Sequence, residues 1–281
     1  MTLKEIRQKF IYGLNSLYTS NEIETFFYWS IEDVLQLRRV DFSLNPNQNL
    51  SETSKDVLDS IIKRLTNQEP IQYILGYTEF YGLQFKVNPK VLIPRPETED
   101  LVDWVIRDYK SNKTLNILDL GTGSGCIPIS IKKNLPQHQV YGVDISEEAL
   151  QVARHNARIN TVEVSFMQHD VLALRSFPVE TDIIISNPPY VKYAEQSEIS
   201  KNVLEYEPHL ALFVANNNPL VFYQKICELA KNNSRPTSVY FELNEYHTKD
   251  YLAMLETIGC SFYEFRKDYR AKTRMLKVVF E

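Results

Sequence analysis

The first seventy residues carry apolar side chains at the spacing of amphipathic helices. Apolar residues recur three or four positions apart from Leu3 to Leu17, and the segment KDVLDSIIKRL, 55–65, repeats that period. Two pairs of a capping residue and an acid three positions later predict the starts of two further helices. The pairs are Asn21 with Glu24 and Ser30 with Asp33. Residues 1–70 are therefore predicted to form a small helical domain with its own core.

The segment 71–95 combines strand-like residues with the glycines and prolines of turns. Two short apolar runs on either side of a bend predict a β-hairpin, and we interpret 71–95 as a hairpin connector. The runs are 73–75 and Leu83, Phe85 and Val87, and Gly76 and Gly82 lie around the bend. Two prolines in IPRPETE, 93–99, then favour an extended backbone. A helix is predicted to follow, from about Glu97 to Tyr109.

From Thr114 onward, strand patterns alternate with helix patterns. This alternation predicts a doubly wound α/β fold with a parallel sheet. The last two strands have no helix between them, so we expect them to pair antiparallel. Residues 96–281 are thus predicted to hold a Rossmann-like, seven-stranded sheet. The strand segments are LNILDLG, QVYGVDI, VEVSFMQHD, DIIISN, SVYFEL, CSFYEFRKD and RMLKVVFE. The helix segments are GCIPISIKKNL, EEALQVARHNARI, LVFYQKICELAK and KDYLAMLETIG.

The composition indicates a soluble globular protein. Hydrophobic residues make up 43% and charged residues 24% of the 281 residues. The net charge of −5 argues against a protein held mainly by nucleic-acid phosphates. The net charge does not exclude a local basic patch, but direct nucleic-acid binding is not expected.

The cysteines and the lengths of the apolar runs indicate a cytoplasmic protein without a metal. Cys126, Cys227 and Cys260 do not have the spacing of metal ligands, and scattered thiols fit a reducing compartment. No apolar run reaches the roughly 20 residues of a membrane span, so no membrane partner is expected. The first residues, MTLKEIRQKF, differ from a signal peptide.

Acids and a glycine-rich turn mark the ends of three successive predicted strands. Asp119 opens the turn DLGTGSG, in which Gly121 and Gly123 allow the backbone to approach a ligand closely. Asp144 ends the next strand, where a carboxylate can accept both hydroxyls of a ribose. Asp170 ends the third strand, within reach of an adenine amino group.

These acids favour S-adenosylmethionine as the cofactor, with S-adenosylhomocysteine as the product. Acids are poor neighbours for the phosphates of a dinucleotide, whereas S-adenosylmethionine has a ribose, an adenine and positively charged sulfonium and amino groups. Taken alone, the glycine-rich turn also fits many other ligands or a plain turn, and Asp144 also fits an ordinary turn acid at a strand end.

The strand DIIISN runs directly into Asn187, Pro188, Pro189 and Tyr190 at the same sheet edge. A planar nitrogen is a poor nucleophile because its lone pair is delocalised, so it needs orientation and polarisation to attack a sulfonium methyl. The Asn187 side-chain carbonyl and the Pro188 carbonyl offer acceptors for its two N–H groups. The prolines stiffen the loop, and Tyr190 offers a stacking surface. Asn-Pro-Pro is also a common turn, and a tyrosine also serves packing alone.

The motifs NPPY and DLGTGSG resemble those of amino-methyltransferases that act on planar nitrogens, in adenine or in glutamine side chains. Five more segments narrow the choice among these enzymes. With them, the chain resembles the release factor glutamine methyltransferase family over essentially its whole length. The segments are EPIQYILGYTEFYG, VLIPRPETE, VDIS, EYEPHLALF and DYRAKTR. The resemblance implies N5-methylation of the glutamine in the Gly-Gly-Gln loop of bacterial peptide chain release factors. It also implies that the helical domain helps to hold the release factor.

The resemblance further implies roles for individual residues. The cofactor would be bound by Gly121, Thr122, Gly123, Ser124, Gly125 and Asp144, and its pocket would be flanked by Arg95 and Pro96. The glutamine would be bound by Asn187, Pro188, Pro189 and Tyr190, with Asn187 also near the cofactor methyl. Val171 stands where the family often has an aromatic residue against the adenine, so we expect different packing there. The departures from the family pattern at Asn244, His247 and Ala271 are expected to lie away from the chemistry.

Two other functions share these motifs. An N6-adenine methyltransferase of DNA or RNA would use the Asn-Pro-Pro-Tyr segment to hold a flipped adenine, but the acidic balance disfavours it. A binding protein that keeps the cofactor only as a structural ligand would have no need of Asn187.

Overall fold

The computed structural model describes residues 1–110 and 113–281. The chain divides into two compact units, which we call the helical unit (Met1–Gly76 with Ser200–Tyr206) and the sheet unit (Tyr77–Ile199 with Glu207–Glu281). The helices are α1 (Leu3–Leu14), α2 (Ser20–Leu35), α3 (Arg39–Leu44), α4 (Glu52–Thr66), α5 (Ile71–Leu75), α6 (Pro96–Tyr109), α7 (Cys126–Asn134), α8 (Glu147–Ile159), α9 (Lys201–Tyr206), α10 (Val221–Lys231) and α11 (Thr248–Ile258). The strands are β1 (Tyr77–Phe80), β2 (Leu83–Lys86), β3 (Asn116–Leu120), β4 (Gln139–Asp144), β5 (Ser165–Gln168), β6 (Ile183–Ser186), β7 (Val191–Lys192), β8 (Phe213–Val214), β9 (Thr237–Glu242), β10 (Phe262–Lys267) and β11 (Thr273–Phe280).

In the helical unit, α1, α2 and α4 pack around one apolar core. The helices α1 and α2 both begin at a capping box, in which a threonine and a glutamate satisfy each other's backbone N–H groups. The apolar residues of the predicted helical period are buried, among them Leu3, Ile6, Phe10, Leu58 and Leu65. The predicted helical character of this region is confirmed.

Of the two helix starts predicted at Asn21 and Ser30, the first lies next to a real start, because α2 begins at Ser20, and the second is wrong, because α2 runs through Ser30 to Leu35. Its cap is Thr19, whose hydroxyl accepts a hydrogen bond from the Glu22 N–H. Ser30 lies inside α2, where its hydroxyl donates to the Phe26 carbonyl at 2.7 Å. A serine that bonds back to the preceding turn is compatible with a helix interior, so its capping chemistry is not used here.

The predicted hairpin exists, but its first strand begins later than expected. Residues 73–75 belong to the short helix α5, which ends at Gly76 with φ +84°, a left-handed conformation that glycine adopts readily. The hairpin pairs β1 with β2 antiparallel, and Phe80 faces Leu83 across the turn. The two turn residues, Tyr81 and Gly82, both have positive φ, as two-residue hairpin turns of type I′ require.

The sheet unit is built on the expected seven-stranded sheet, in the order β10-β11-β9-β6-β3-β4-β5. The strands β9, β6, β3, β4 and β5 are mutually parallel, and β11 pairs antiparallel with both β9 and β10. The predicted fold class and the antiparallel final pair are confirmed. The carboxyl ends of β6, β3, β4 and β5 therefore lie side by side along one edge.

Both faces of this sheet are covered. Successive side chains of a strand point to opposite faces, so Ile184 packs in one core, with Tyr223 and Leu276, while Ile185 packs in the other, with Trp104. The hairpin residues Phe80 and Phe85 belong to this second core. Within the described ranges, no helix combines the length and the apolar character that crossing a bilayer requires.

Candidate active site

The loops that follow four adjacent parallel strands surround a cavity of about 610 Å³, within the size range of small-molecule sites. Seven of the residues singled out from the sequence line it: Gly121, Gly123, Asp144, Asp170, Val171, Asn187 and Pro189. The other walls come from residues that sequence reasoning missed, including Pro89–Leu92, Ile145, His169, Pro208, Leu210, Ala211 and Phe222. The structure thus brings the glycine turn and the ends of β4, β5 and β6 together at one cavity, whereas Asp119, Pro188 and Tyr190 do not line it.

The glycine turn borders open space. Gly121 and Gly123 have φ values of +80° and +53°, and a Cβ added at either would meet no heavy atom within 4 Å. The Gly121 and Thr122 N–H groups donate to the Val143 carbonyl at 2.8 and 2.9 Å, which holds the turn against β4. A ligand can therefore approach the backbone here.

The third glycine of the turn has a different structural reason. A Cβ on Gly125 would lie 3.0 Å from both the Ala153 Cβ and the Ile129 Cδ1, so its small size lets α7 and α8 pack closely. Thr122 and Ser124 are buried, like Gly125. These three predicted residues contribute to the shape of the turn.

The Asp144 carboxylate ties two loops together at the end of β4. It accepts hydrogen bonds from the Gly123 N–H at 2.8 Å and the Ser146 N–H at 2.9 Å. Burial raises the pKa of Asp144, and these backbone donors oppose the rise. The carboxylate lines the cavity and has lone pairs left for a ligand's hydroxyl groups.

Asp119 is a fully buried carboxyl group at the end of β3. Among the described residues, neither of its oxygens has a partner of normal geometry. Burial raises the pKa of Asp119 to about 7, and the charge of Asp144 adds to the effect, while the nearby Thr122 hydroxyl opposes it. An unsatisfied buried carboxylate is costly, and although Asp119 does not line the cavity, a positively charged ligand in the cavity would lower that cost.

The raised pKa of Asp119 predicts how the stability of the protein changes with pH. Between pH 4 and 7 the folded state binds about one more proton at Asp119 than the unfolded chain, so stability falls as pH rises through that window. The Asp119→Asn variant lacks this titration. Without cofactor, we expect its free energy of unfolding, relative to wild type, to increase by about 2–3 kcal/mol from pH 5 to pH 8.

Urea unfolding at the two pH values measures this difference. The exposed Asp56 on α4 provides the control, because an Asp56→Asn change leaves the buried carboxyl in place. A relative stability of Asp119→Asn that does not change with pH contradicts the raised pKa.

Three aliphatic side chains give the cavity an apolar wall. Val171 is 8% exposed, and Ile145 and Leu172 present 45% and 37% of their surfaces, and all three line the cavity. The exposed Asp170 carboxylate accepts a hydrogen bond from the Leu172 N–H at 2.9 Å, which orders the short turn Val171–Ala173. Aliphatic side chains thus stand where the family resemblance implied an aromatic residue.

Two buried polar residues, Thr98 and Glu242, form hydrogen bonds to the Asn-Pro-Pro-Tyr segment. The Asn187 side-chain N–H₂ donates to the Thr98 hydroxyl at 3.4 Å, and Thr98 donates to Glu242 Oε2 at 2.6 Å. The Tyr190 hydroxyl donates to Glu242 Oε1 at 3.4 Å. Asn187 and Pro189 face the cavity, and Pro188 is buried.

Sequence reasoning missed both supporting residues. Thr98 lies in IPRPETE, and Glu242 lies in FELNEYH, in which Asn244 and His247 were expected to lie away from the chemistry. The usable signal was a charged residue at the end of an otherwise apolar strand, the pattern that Asp144 also shows.

Arg95 pairs with Glu207. The guanidinium donates to Glu207 Oε1 at 2.6 Å, and the Ile93 N–H donates to Oε2 at 3.2 Å. Glu207 directly precedes the cavity wall at Pro208, and Ile93 directly follows the wall at Pro89–Leu92. The pair therefore fastens two walls of the cavity to each other, while Pro96 is the first residue of α6.

Metal ligands do not gather in this site or elsewhere in ranges 1–110 and 113–281, where no cluster of three or more histidine, cysteine, aspartate or glutamate side chains could hold an ion. Among those residues Cys126, Cys227 and Cys260 are all free thiols.

A seven-stranded sheet of this order, with a cavity at its glycine turn, is the fold of S-adenosylmethionine-dependent methyltransferases. Residues 103–210 match the family described as "Methyltransferase small domain". The solved structure of the hMettl16 catalytic domain in complex with MAT2A 3'UTR hairpin 6 aligns with a TM-score of 0.57 at 15% identity, over 72% of this chain and 76% of that one. That likeness shows the fold alone.

The chain belongs to the release factor glutamine methyltransferase family. It is 47% identical, over 100% of both chains, to the release factor glutamine methyltransferase of Flavobacterium psychrophilum. The enzyme of the same name from Bacteroides thetaiotaomicron is 42% identical over 94% of this chain and 95% of its own. Residues 14–76 match the family described as "PrmC N-terminal domain".

Proposed function

We propose that this protein transfers a methyl group from S-adenosylmethionine to the side-chain amide nitrogen (N5) of the glutamine in the Gly-Gly-Gln motif of bacterial peptide chain release factors. The observation that carries the proposal is the position of Asn187, which faces the cavity from the same sheet edge as Asp144 and the glycine turn. Membership of the release factor glutamine methyltransferase family supports glutamine as the acceptor.

The residues of the cavity fit S-adenosylmethionine. The cofactor would be bound by the Asp144 carboxylate, the backbone at Gly121 and Gly123, and the apolar surfaces of Ile145, Val171 and Leu172. The unsatisfied Asp119 carboxylate favours a positively charged ligand nearby. When bound, S-adenosylmethionine supplies an electrophilic methyl group on a positively charged sulfur.

The chain's own contribution is to orient and polarise the glutamine amide. The Asn187 side-chain oxygen and the Pro188 carbonyl accept its two N–H hydrogen atoms, which localises the nitrogen lone pair and aims it. Such oriented acceptors contribute to catalysis because they are already in position before the reaction. Tyr190 provides a planar surface for the amide, and Pro188 and Pro189 restrict the loop.

We also propose that residues 1–70 recognise the protein substrate and take no part in methyl transfer. The first cavity-lining residue in the sequence is Pro89, whereas the helical unit exposes large apolar side chains such as Tyr12, Trp29 and Leu44. Aromatic side chains are frequent energetic centres of protein interfaces. A second contact surface raises the effective concentration of the glutamine at the cavity.

A cytoplasmic location follows from the same proposal. Peptide chain release factors work in translation, and three free thiols, Cys126, Cys227 and Cys260, fit a reducing compartment. Direct nucleic-acid binding is not part of the proposed reaction, and the net charge of −5 is consistent with that.

Labelled S-adenosylmethionine distinguishes the proposed substrate from its rivals. We expect an intact release factor to take up label on its Gly-Gly-Gln glutamine. Duplex DNA and structured RNA should stay unlabelled. A short Gly-Gly-Gln peptide should be labelled with a KM at least about tenfold higher, because it lacks the second contact surface.

The controls separate the two parts of the proposal. A release factor whose Gly-Gly-Gln glutamine is replaced by alanine should take up no label. Label on nucleic acid with none on the release factor would reject the proposed function. Equal KM values for peptide and release factor would reject only the recognition role of residues 1–70.

A further inference from the structure

A side-chain amide has two ends of similar shape and opposite hydrogen-bonding character. If the Asn187 oxygen faces the cavity, the side chain accepts a hydrogen bond from the substrate. If the nitrogen faces the cavity, it can only donate. The proposed function needs the oxygen in that position, so some part of the protein must select one of the two orientations.

The Thr98 hydroxyl makes this selection. It is 2% exposed and lies 2.6 Å from Glu242 Oε2 and 3.4 Å from Asn187 Nδ2. Burial raises the pKa of Glu242, and the Thr98 hydrogen bond and the charge of Arg274 oppose the rise. When Glu242 is ionised, its carboxylate has no hydrogen to give, so the single hydrogen of Thr98 goes to Glu242. The hydroxyl then has only lone pairs left for Asn187, and a lone pair attracts the N–H₂ end. The Asn187 oxygen is thereby directed away from Thr98.

Glu242 is itself fixed in place. It is the last residue of β9, and the pairing of Ser186 with Phe241 in the sheet puts Asn187 and Glu242 at the same level of two adjacent strands. The Tyr223 hydroxyl donates to the Glu242 backbone carbonyl at 2.9 Å. The carboxylate, which is 3% exposed, also accepts a hydrogen bond from Tyr190 at 3.4 Å. One carboxylate thus supports both ends of the Asn-Pro-Pro-Tyr segment.

We infer that Thr98 and Glu242 are positioning residues for methyl transfer, because they fix the amide orientation of Asn187 and the ring position of Tyr190. This inference rests on the proposed function and deepens it. Neither residue lines the cavity in the described parts of the chain, so both act through Asn187 and Tyr190. They set the rate of the chemical step and leave cofactor affinity unchanged.

A substitution at Thr98 provides a direct test. Thr98→Val keeps the shape and removes the hydroxyl, while Thr98→Ser keeps the hydroxyl and removes a methyl group. We expect Thr98→Val to lower the single-turnover rate on intact release factor by about 10- to 100-fold, since a small misplacement of a reacting group has effects of this size. The Kd for S-adenosylhomocysteine should stay within about twofold, and Thr98→Ser should restore most of the rate.

Glu242→Gln tests the other half of the pair. A glutamine has one accepting and one donating end. If its N–H₂ faces Thr98, the threonine hydrogen becomes free to bond the Asn187 oxygen, and the amide turns its nitrogen to the cavity. We expect a loss of rate similar to that of Thr98→Val, again with unchanged affinity for S-adenosylhomocysteine.

Thr257→Val, at an exposed position on α11, is the matched control for the loss of the hydroxyl in Thr98→Val.

A double-mutant cycle separates positioning from general destabilisation. If Thr98 acts through Asn187, Thr98→Val should have little further effect on the residual rate of Asn187→Ala. Equal effects in both backgrounds would overturn the inference, and so would a wild-type rate in Thr98→Val. If Thr98→Val loses its circular dichroism signal, the comparison of Glu242→Gln with wild type decides instead. Failure of wild-type enzyme to methylate any release factor would reject the proposed function itself.

Discussion

The Asn187→Ala variant is expected to lose methyl transfer to the release factor by at least about 10²–10³-fold, because one oriented acceptor of the reacting amide is removed. Misalignment of the amide would add to this loss. The affinity for S-adenosylmethionine should fall little, since the proposed cofactor contacts at Asp144 and the glycine turn lie on other parts of the cavity wall. Asn187 therefore belongs to the chemical step and much less to cofactor binding.

Single-turnover rates and calorimetry separate the two effects of Asn187→Ala. The rate is measured with saturating cofactor and release factor, and the Kd is measured with S-adenosylhomocysteine. Asn217→Ala, at an exposed loop position, controls for the loss of an asparagine elsewhere in the sheet unit. Near-normal turnover of Asn187→Ala would show that the attacking amide is oriented by other groups.

The sheet was predictable from the sequence because its signals are local. Each buried strand, such as IIIS in β6 and VYFE in β9, is a short apolar run beside a turn. The alternation of these runs with amphipathic helices leaves few topologies open. Once the sheet is parallel, its strand ends share one edge, so Asp144 and Asn187 could be brought together without knowledge of any distance.

Errors arose where two local signals compete. Ser30 resembles a helix cap, but the apolar period of Ile23, Phe27 and Ile31 runs through it, and burial of that stripe outweighs the capping preference. Residues 73–75 resemble a strand, yet Pro70 before them and Gly76 after them are typical borders of a short helix. In both cases the context of the residue, and not its type, decides the structure.

The support of the site could not be predicted, because it depends on contacts between distant parts of the chain. Thr98 and Glu242 are 144 positions apart, and Arg95 and Glu207 are 112 positions apart. No spacing rule links residues at such separations. The position of Glu242 at the end of an apolar strand is a local signal that a partner is needed, because a buried charged residue must find hydrogen-bond partners, but it does not say which residue is that partner.

The Asp144→Ala variant should show the largest loss of cofactor affinity. If the carboxylate accepts two ribose hydroxyls, its removal costs up to about 3–6 kcal/mol, or two to four orders of magnitude in Kd. Part of this loss comes from the protein itself, because Asp144 also holds the Gly123 and Ser146 N–H groups at 2.8 and 2.9 Å. The substitution would release the glycine turn as well as the ligand.

S-adenosylmethionine and S-adenosylhomocysteine should be weakened by the same factor in Asp144→Ala, because ribose contacts do not change during methyl transfer. The effect therefore appears in the cofactor KM, and the rate at saturating cofactor should approach that of wild type. Asp144→Asn retains one accepting oxygen, but its N–H₂ must face one of two backbone donors, so we expect an intermediate Kd. Asp56→Ala, on the exposed face of α4, should bind both ligands as wild type does. Unchanged affinity with a lower maximal rate would move Asp144 from cofactor binding to the chemical step, because only an interaction made in the transition state alone has that signature.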